Sequence, residues 1–105
     1  MKTDKNAKWP FDDPRGTPAV TTLHVTSSEM PIVYASRESD EDGEITWHFY
    51  CAFPFEMKDA QLVRLDTIIN VDRSVLELAD LPLGHAAKRR SPQDPWILFQ
   101  EENVE

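Results

Sequence analysis

The sequence predicts one α+β domain built on a mostly antiparallel, twisted sheet with one or two short helices. Three observations lead to this prediction. Short runs of β-branched and aromatic residues fill the first half of the chain, a segment with helical spacing of apolar residues follows, and two short extended runs come last. This pattern is typical of α+β proteins. The length of 105 residues fits a single domain.

The domain is expected to occupy residues 9–100, between a disordered tail at 1–8 and a frayed tail at 101–105. Near its start, Trp9 and Phe11 stand two residues apart. We expect their rings to pack back onto the core, because two exposed rings so close together would leave a large apolar surface in water.

The first half of the chain predicts three strands, at 19–25, 31–36 and 44–53. Between the second and third strands, the pair Asp42-Gly43 predicts a hairpin with a type I′ turn, in which both central residues have positive φ. Alternation in the third strand assigns its side chains to two faces. One face carries Ile45, Trp47, Phe49 and Cys51, and the other carries Thr46, His48 and Tyr50.

The second half mixes strand and helix patterns. "AQLVRL", at 60–65, predicts a short strand. "DTIINV" follows and predicts a helical turn capped by its first residue, Asp66. Ser74 and Glu77 have the spacing of a capping box, which predicts a helix over 74–80 that packs on the sheet.

The last part of the domain contains two short extended runs, at 85–90 and 95–99, separated by "SPQDP". They predict a hairpin or two edge segments. The basic residues at 88–90 are expected to offset the acids of the 38–44 turn across the sheet. The predicted core gathers the apolar residues of all these elements. It comprises Val20, Ile32, Val33, Trp47, Phe49, Cys51, Leu65, Ile68, Leu78, Leu81 and Trp96.

Charge excludes some classes of partner. The chain carries 19 acidic and 11 basic residues, for a net charge of −8. Nucleic-acid binding needs a basic surface to neutralise phosphates, and anionic membranes also attract basic segments. The composition therefore predicts neither nucleic acid nor a membrane as a partner, and it favours a basic protein.

Cysteine usage and hydropathy predict a cytoplasmic protein. The only cysteine, Cys51, cannot form an internal disulfide, whereas secreted domains of this size usually contain several. The beginning of the sequence has no apolar signal segment, and no apolar run reaches the roughly 20 residues of a membrane helix. Because Cys51 lies on the apolar face of its strand, we expect it to be buried and inert.

The stretch "ESDEDGEITWHFYC" is the one segment whose composition suggests a site. A calcium loop would place Gly43 at position six and Phe49 at position twelve, where a ligating glutamate is required. The stretch is therefore interpreted as a solvated hairpin tip or as a recognition surface that attracts a cation. The residues of the predicted partner-binding surface are Glu38, Asp40, Glu41, Asp42 and His48.

Other chemistry finds little support. His48 and Cys51 are three positions apart on a strand and point to opposite faces, and no zinc-ligand spacing occurs, so no metal site is predicted. The three glycines, at 16, 43 and 84, stand singly and cannot form a phosphate-binding loop. No cofactor and no catalytic residue are predicted.

Four segments together resemble a family of small bacterial proteins with no assigned activity. They are "WPFDDPRGTPAVTT", "PIVYASRESDEDGEITWHFY", "DAQLV" and "RSVLELADLPLGHAAKR", and they cover most of residues 9–90. The family's usual Trp after "LPLG" is His85 here, and its "DPS" is Asp72-Arg73-Ser74. More distantly, the hairpin followed by a capped helix resembles predicted immunity proteins of polymorphic toxin systems. That resemblance implies a protein antagonist without catalytic residues.

Three functions remain open from the sequence. The leading hypothesis is a non-enzymatic, acidic protein-binding module similar to an immunity protein. The second is a small-ligand binder or enzyme that uses Asp40, Asp42 and His48, which would require a deep pocket lined by these residues. The third is a structural homodimer, joined through an unpaired strand edge such as 95–99. The sequence alone leaves open whether the protein is a monomer or a homodimer.

Overall fold

The computed structural model describes residues 9–52 and 56–100. The predicted tails, at 1–8 and 101–105, lie outside these residues. Six strands, two short α-helices and two 3-10 helices are found in the described part. They are β1 (Pro18–Thr22), α1 (Leu23–Thr26), β2 (Tyr34–Ser39), β3 (Ile45–Tyr50), a 3-10 helix (Met57–Asp59), β4 (Ala60–Arg64), α2 (Leu65–Val71), a second 3-10 helix (Arg73–Leu78), β5 (His85–Lys88) and β6 (Ile97–Gln100).

The six strands form one sheet in the order β4-β1-β3-β2-β5-β6. β2 and β3 form the predicted hairpin. β3 lies between β2 and β1, and it pairs with β1 in parallel. The other described pairings, β1 with β4, β2 with β5 and β5 with β6, are antiparallel. The α+β class with a mostly antiparallel sheet is confirmed.

One face of the sheet carries the hydrophobic core. Trp47 and Phe49 of β3 are buried there, with parallel rings whose centroids are 5.7 Å apart. Small residues of the neighbouring strands, Ala19 and Ala35, are fully buried beside them. Helical and loop residues complete this core cluster from the other side, and they include Val25, Ile32, Leu65, Ile68, Ile69, Val75, Leu78 and Leu81. The domain is therefore a two-layer structure with its core between sheet and helices.

Most of the predicted core is confirmed, with three corrections. Val20 points to the opposite face of the sheet, because its neighbours Ala19 and Thr21 take the buried positions on β1. Val33 and Trp96 are only half-buried, although Trp96 packs against the core. Eight predicted members are buried as expected: Ile32, Trp47, Phe49, Cys51, Leu65, Ile68, Leu78 and Leu81.

The aromatic N-terminal segment packs on the core as predicted. Phe11 is buried, with its ring edge-on to Trp47 at 5.4 Å and its other side against Trp9 at 5.0 Å. Two residues later, the Asp13 carboxylate accepts a hydrogen bond of 2.8 Å from Nε1 of Trp47. The same carboxylate accepts two hydrogen bonds from the Arg37 guanidinium, at 3.0 and 3.1 Å. These bonds satisfy a largely buried ion pair and hold the segment on β2 and β3.

The predicted strand boundaries are approximate: the third strand is shorter, at Ile45–Tyr50, and the first two differ most. The first predicted strand ends at Thr22, because Leu23–Thr26 turns into α1 and thereby buries Val25 completely. Burial in the core outweighs the β propensity of these residues. The second strand begins at Tyr34 rather than at Pro31, and it extends further toward the acidic turn.

The predicted caps are wrong in both helical segments of the second half. α2 begins at Leu65 after Arg64, and Asp66 lies within its first turn, where two hydrogen bonds of 3.0 Å join it to the Arg64 guanidinium. This contact holds the pKa of Asp66 below its usual value. The segment predicted as a helix over 74–80 is a 3-10 helix capped by Asp72, whose carboxylate accepts from the N–H of Ser74.

The prediction that the basic residues at 88–90 offset the acids of the 38–44 turn is wrong. Arg89 is buried, and its guanidinium donates to the Ile32 carbonyl at 3.0 Å and to Asp72 at 2.9 Å. Its guanidinium carbon also lies 4.1 Å from the centre of the Trp96 ring. Arg90 lies 3.9 Å from Asp94. Arg89, which directly follows β5, therefore connects the segment before β2 with the start of the second 3-10 helix.

Candidate functional site

The face of the sheet opposite the core is the most distinctive surface of the described chain. Register places one side chain from every strand in a single row across it. From edge to edge this row is Leu62, Val20, His48, Ser36, Ala86 and Phe99. None of these six residues belongs to the core cluster formed by the described residues.

A second row lies beside the first. Tyr50 of β3 is opposite Tyr34 of β2, which is opposite Lys88 of β5, which is opposite Ile97 of β6. The rings of Tyr34 and Tyr50 are stacked, with centroids 6.0 Å apart and planes 19° from parallel. The ring centroid of His48, in the first row, lies 6.0 Å from that of Tyr50 in the second. Three aromatic side chains therefore form a continuous patch at the centre of the sheet.

We call this surface the open face. It includes the following side chains, of which Ser36 and Ala86 are buried: Val20, Tyr34, Ser36, Glu38, Thr46, His48, Tyr50, Leu62, Ala86, Lys88, Ile97 and Phe99. The helices of residues 9–52 and 56–100 contribute their buried side chains to the core on the other side. At its two ends, Leu62 and Ile97 expose 72% and 58% of their surface. Exposed large apolar residues around an aromatic centre are typical of protein-binding surfaces.

Polar groups at the centre of the open face are arranged around Glu38. The Ser36 hydroxyl donates to Oε2 of Glu38 at 3.1 Å, and Nδ1 of His48 lies 4.0 Å from the same oxygen. Nδ1 of His48 is buried and forms no hydrogen bond within the described residues. Burial and, second, the charge of Glu38 raise the pKa of Tyr50 above its ordinary value.

The acidic tip, residues 40–44, adjoins the open face at the end of the β2–β3 hairpin. The N–H of Gly43 donates to the Asp40 carbonyl, and the N–H of Asp40 donates to the Glu44 carbonyl, both at 3.0 Å. Oδ1 of Asp40 accepts from the N–H groups of Asp42 and Glu44, at 2.8 and 2.9 Å. The Asp40 side chain therefore holds the turn itself.

The predicted type I′ turn at Asp42-Gly43 is wrong. Gly43 has φ of +85°, but Asp42 is not among the described residues with positive φ. The pattern is that of a three-residue loop that ends in a left-handed glycine, which is the next most common hairpin connection. The Asp40 carboxylate replaces hydrogen bonds that the shorter turn would have made between backbone groups.

The predicted partner-binding residues divide into two groups. Glu38 and His48 come together on the open face. Glu41 and Asp42 are exposed on the acidic tip, whereas the Asp40 carboxylate accepts a hydrogen bond from a backbone N–H group within the turn. Asp40 lies four residues beyond Ser36, the partner of His48, which corresponds to about 13 Å along a strand. The structure therefore does not gather Asp40, Asp42 and His48 into one site.

Among the described residues, two open clefts that lie away from the open face are well defined. One, of about 380 Å³, is lined by residues that include Glu29, Met30 and Asp72. The other, of about 420 Å³, lies between the 13–18 loop and the acidic tip. Neither contains His48. Asp13 in the second cleft is already bonded to Arg37 and Trp47 and offers no free charge.

Alternation along β3 found His48 and Tyr50, but Tyr34, Leu62 and Phe99 were missed as members of the same surface. Their own strands show alternation only weakly, since each is short. Only the register between strands brings them together, and a single sequence contains no signal for it.

Within the described ranges, no group of three or more His, Cys, Asp or Glu side chains is placed to hold a metal ion. No helix in that part of the chain is long and apolar enough to cross a membrane.

Comparisons with models of protein families, with curated proteins and with solved structures found no significant match for this chain. The resemblance to immunity proteins is therefore neither supported nor refuted by these comparisons.

Proposed function

We propose that this chain is a non-enzymatic protein-binding module that holds a basic partner protein on its open face. The observation that carries the proposal is the aromatic patch of Tyr34, His48 and Tyr50 on the face of the sheet opposite the core, which the exposed side chains of Leu62 and Ile97 flank at the two edges. Tyrosine is enriched at binding interfaces because its ring buries a large area with few rotatable bonds, while its hydroxyl remains able to form a hydrogen bond.

The aromatic patch supplies the rigid part of the proposed interface. Tyr34 and Tyr50 hold each other in place by stacking, and His48 fixes the side of Tyr50. All three are half-buried in the free protein, so they retain surface for a partner to cover. Side chains that are ordered before binding lose little conformational entropy in the complex.

The acidic tip supplies attraction at a distance. Glu41, Asp42 and Glu44 are exposed beside the open face, in a chain of net charge −8. A cluster of one sign next to a binding surface raises the association rate of an oppositely charged partner, and salt weakens that effect. A basic partner is therefore the one that this surface attracts.

The partner class that we propose is a toxin, in line with the resemblance to immunity proteins. The proposed location is the cytoplasm, which agrees with a single cysteine that is buried in the core. An antagonist needs only to cover the active surface of its target. The absence of predicted catalytic residues is consistent with this role.

The experiment uses the product of the adjacent gene as the candidate partner, produced together with this chain. We expect the two to copurify and to associate more slowly as salt increases. Tyr34→Ala and Tyr50→Ala should each weaken binding by at least about tenfold, as expected for central interface aromatics. Glu41→Gln with Asp42→Asn should slow association with little effect on dissociation.

Met57→Ala is the matched control, because Met57 is highly exposed but lies on a 3-10 helix outside the open face. Its affinity should equal that of the wild type. Equal affinity of the tyrosine variants and the wild type, with all variants folded by circular dichroism, would contradict the use of the open face. If the acidic tip were unimportant for binding, the double variant Glu41→Gln with Asp42→Asn and the wild type would have association rates with the same salt dependence.

A further inference from the structure

β6 is an edge strand with unusual exposure. It pairs with β5 on one side, and no other described strand lies on its outer side. Its sequence, Ile97–Gln100, contains no charge and no proline. Ile97 on the open face and Leu98 on the other face expose 58% and 51% of their surface. An uncharged, apolar edge is a template for pairing with a further strand.

The opposite edge of the sheet differs in this respect. β4 ends in Arg64, which forms an ion pair with Asp66 at 3.0 Å, and it follows a 3-10 helix that contains Lys58. Charges at an edge oppose strand addition, because pairing would remove them from water. The two edges therefore have different properties, although each exposes a large apolar side chain.

We propose that β6 pairs antiparallel with β6 of a second copy of this chain, about a two-fold axis perpendicular to the sheet. Residues opposite each other in an antiparallel pair point to the same face. With Leu98 opposite Leu98 of the second copy, Ile97 lies opposite Phe99 of the second copy on the open face. Shifting the axis by one residue along the strand places Gln100 opposite Leu98, or Pro95 opposite Phe99. Of these three registers, only the Leu98-centred one pairs the three apolar residues of β6 with one another.

Charge does not prevent this pairing, although each copy carries −8. β6 itself is uncharged, and the acidic tip belongs to strands that lie at least two positions away from β6 in the sheet. Across the dimer, the two copies of β2 are five strand spacings apart, which is roughly 24 Å. That separation exceeds the screening length of about 8 Å at physiological salt. Repulsion between the tips is therefore largely screened.

The pairing has a consequence for the surface of the assembly. A two-fold axis perpendicular to the sheet keeps both open faces on the same side of one continuous twelve-stranded sheet. The Ile97 and Phe99 contacts lie on this side and join the two faces. Because each strand contributes only four residues, the interface is smaller than that of a typical stable dimer, and we expect concentration-dependent association.

Sedimentation equilibrium of the full chain tests the proposal, over roughly 1 µM to 1 mM, where weak interfaces dissociate. The wild type should shift from monomer to dimer across this range. Leu98→Lys should abolish the shift, because two ammonium groups would face each other at the axis. Leu62→Lys, at the exposed position of the opposite edge, is the control and should dimerise like the wild type. A wild type that stays monomeric at the highest concentration overturns the proposal, as does equal behaviour of the two variants.

Disulfide formation gives a second test that does not depend on a charged substitution. Directly opposite residues in an antiparallel pair have Cα atoms about 4.5–5.5 Å apart, within the range for a disulfide. Leu98→Cys should therefore form a covalent dimer under mild oxidation, whereas Leu62→Cys should not. Cys51 is buried and common to both variants, so it does not affect the comparison. Absence of the Leu98→Cys dimer would exclude the proposed register.

Discussion

At the scale of single residues, the carboxylate of Asp13 is the contact that organises the core edge. It accepts hydrogen bonds from both Trp47 and Arg37 while it is nearly buried. The Arg37 guanidinium also donates to the Leu81 carbonyl at 3.0 Å. One carboxylate thus connects the N-terminal segment, two central strands and the loop after the second 3-10 helix. Sequence alone gives no signal for this network, because Asp13 resembles its exposed neighbour Asp12.

Replacing Asp13 should therefore be costly. Asp13→Ala leaves the Arg37 charge and the Trp47 N–H without their partner in a buried position, and we expect a loss of about 3–5 kcal/mol in the free energy of unfolding. Asp12→Ala, at an exposed position, should change stability by less than about 0.5 kcal/mol. Urea denaturation measures both. Equal midpoints for the two variants would show that the network contributes nothing to stability.

Asp40 offers a contrast, because its side chain acts through one acceptor atom. Asp40→Ala removes the acceptor of two N–H groups in the turn and should cost about 1 kcal/mol. Asp40→Asn keeps an oxygen at that position and should be nearly neutral. Thermal denaturation distinguishes the two. If Asn were as destabilising as Ala, the negative charge rather than hydrogen bonding would be what stabilises the turn.

The titration of Tyr50 reports on the polar centre of the open face. Burial is the larger cause that raises the pKa of Tyr50, and Glu38 is the second. Glu38→Gln should therefore lower this pKa but leave it above the ordinary value of 10.0. Tyrosinate absorbance in a Tyr34→Phe background measures it. A pKa that does not change on Glu38→Gln would contradict the interaction.

The sign of the linked stability effect follows from the same shift. A phenol whose pKa is raised by folding binds more protons in the folded state than in the unfolded state at high pH. This difference has no effect on stability well below pH 10 and lowers stability as the pH rises from the unfolded to the folded pKa. We therefore expect the free energy of unfolding of the wild type to fall as the pH rises above 10.0. Tyr50→Phe, which lacks the phenol, should lose less stability over the same range.

At the scale of elements, the accuracy of sequence-based prediction depended on how local the determining interaction is. The two faces of β3 were predicted correctly from alternation alone, because the positions of Trp47 and Phe49 within their own strand decide which face they take. α1 could not be predicted, since Val25 is drawn into the core by residues distant in the chain. The caps of the helical segments were misassigned for two reasons. Local bonds joined Asp66 to Arg64 and Ser74 to Asp72, and the Ser74 hydroxyl also accepts from the distant Arg89.

The β2–β3 hairpin supplies a prediction at this scale. Gly43 has φ of +85°, and a methyl group there would meet no atom within 4 Å. The cost of Gly43→Ala is therefore conformational only, and we expect a loss of about 1 kcal/mol. Gly16→Ala is the control, because that residue lacks positive φ and its added methyl makes only ordinary contacts. It should be neutral or slightly stabilising. Equal losses for both in urea denaturation would contradict a special role for the turn glycine.

At the scale of the whole molecule, the strand order determines two features that local sequence patterns do not predict. Register across six strands creates the open face, and order alone makes β6 an edge. Neither follows from local patterns, because every strand here has only four to six residues. The local residue patterns, in contrast, were sufficient to predict the fold class. Of the residues of the open face, the sequence analysis placed His48 and Tyr50 on one side of β3 and named Glu38, but it did not connect Tyr34, Leu62 or Phe99 with them.

Strand order also predicts the pattern of amide hydrogen exchange. β3 and β2 are central and paired on both sides, so their amides should exchange slowest, through global unfolding. β4 and β6 are paired on one side and should exchange faster in dilute solution. If β6 pairs with a second copy, its protection should rise with protein concentration while that of β4 stays constant, since dimerisation closes only one edge. Exchange measured by mass spectrometry at two concentrations separates these cases. A rise at both edges, or at neither, would show that β6 has no special part in association.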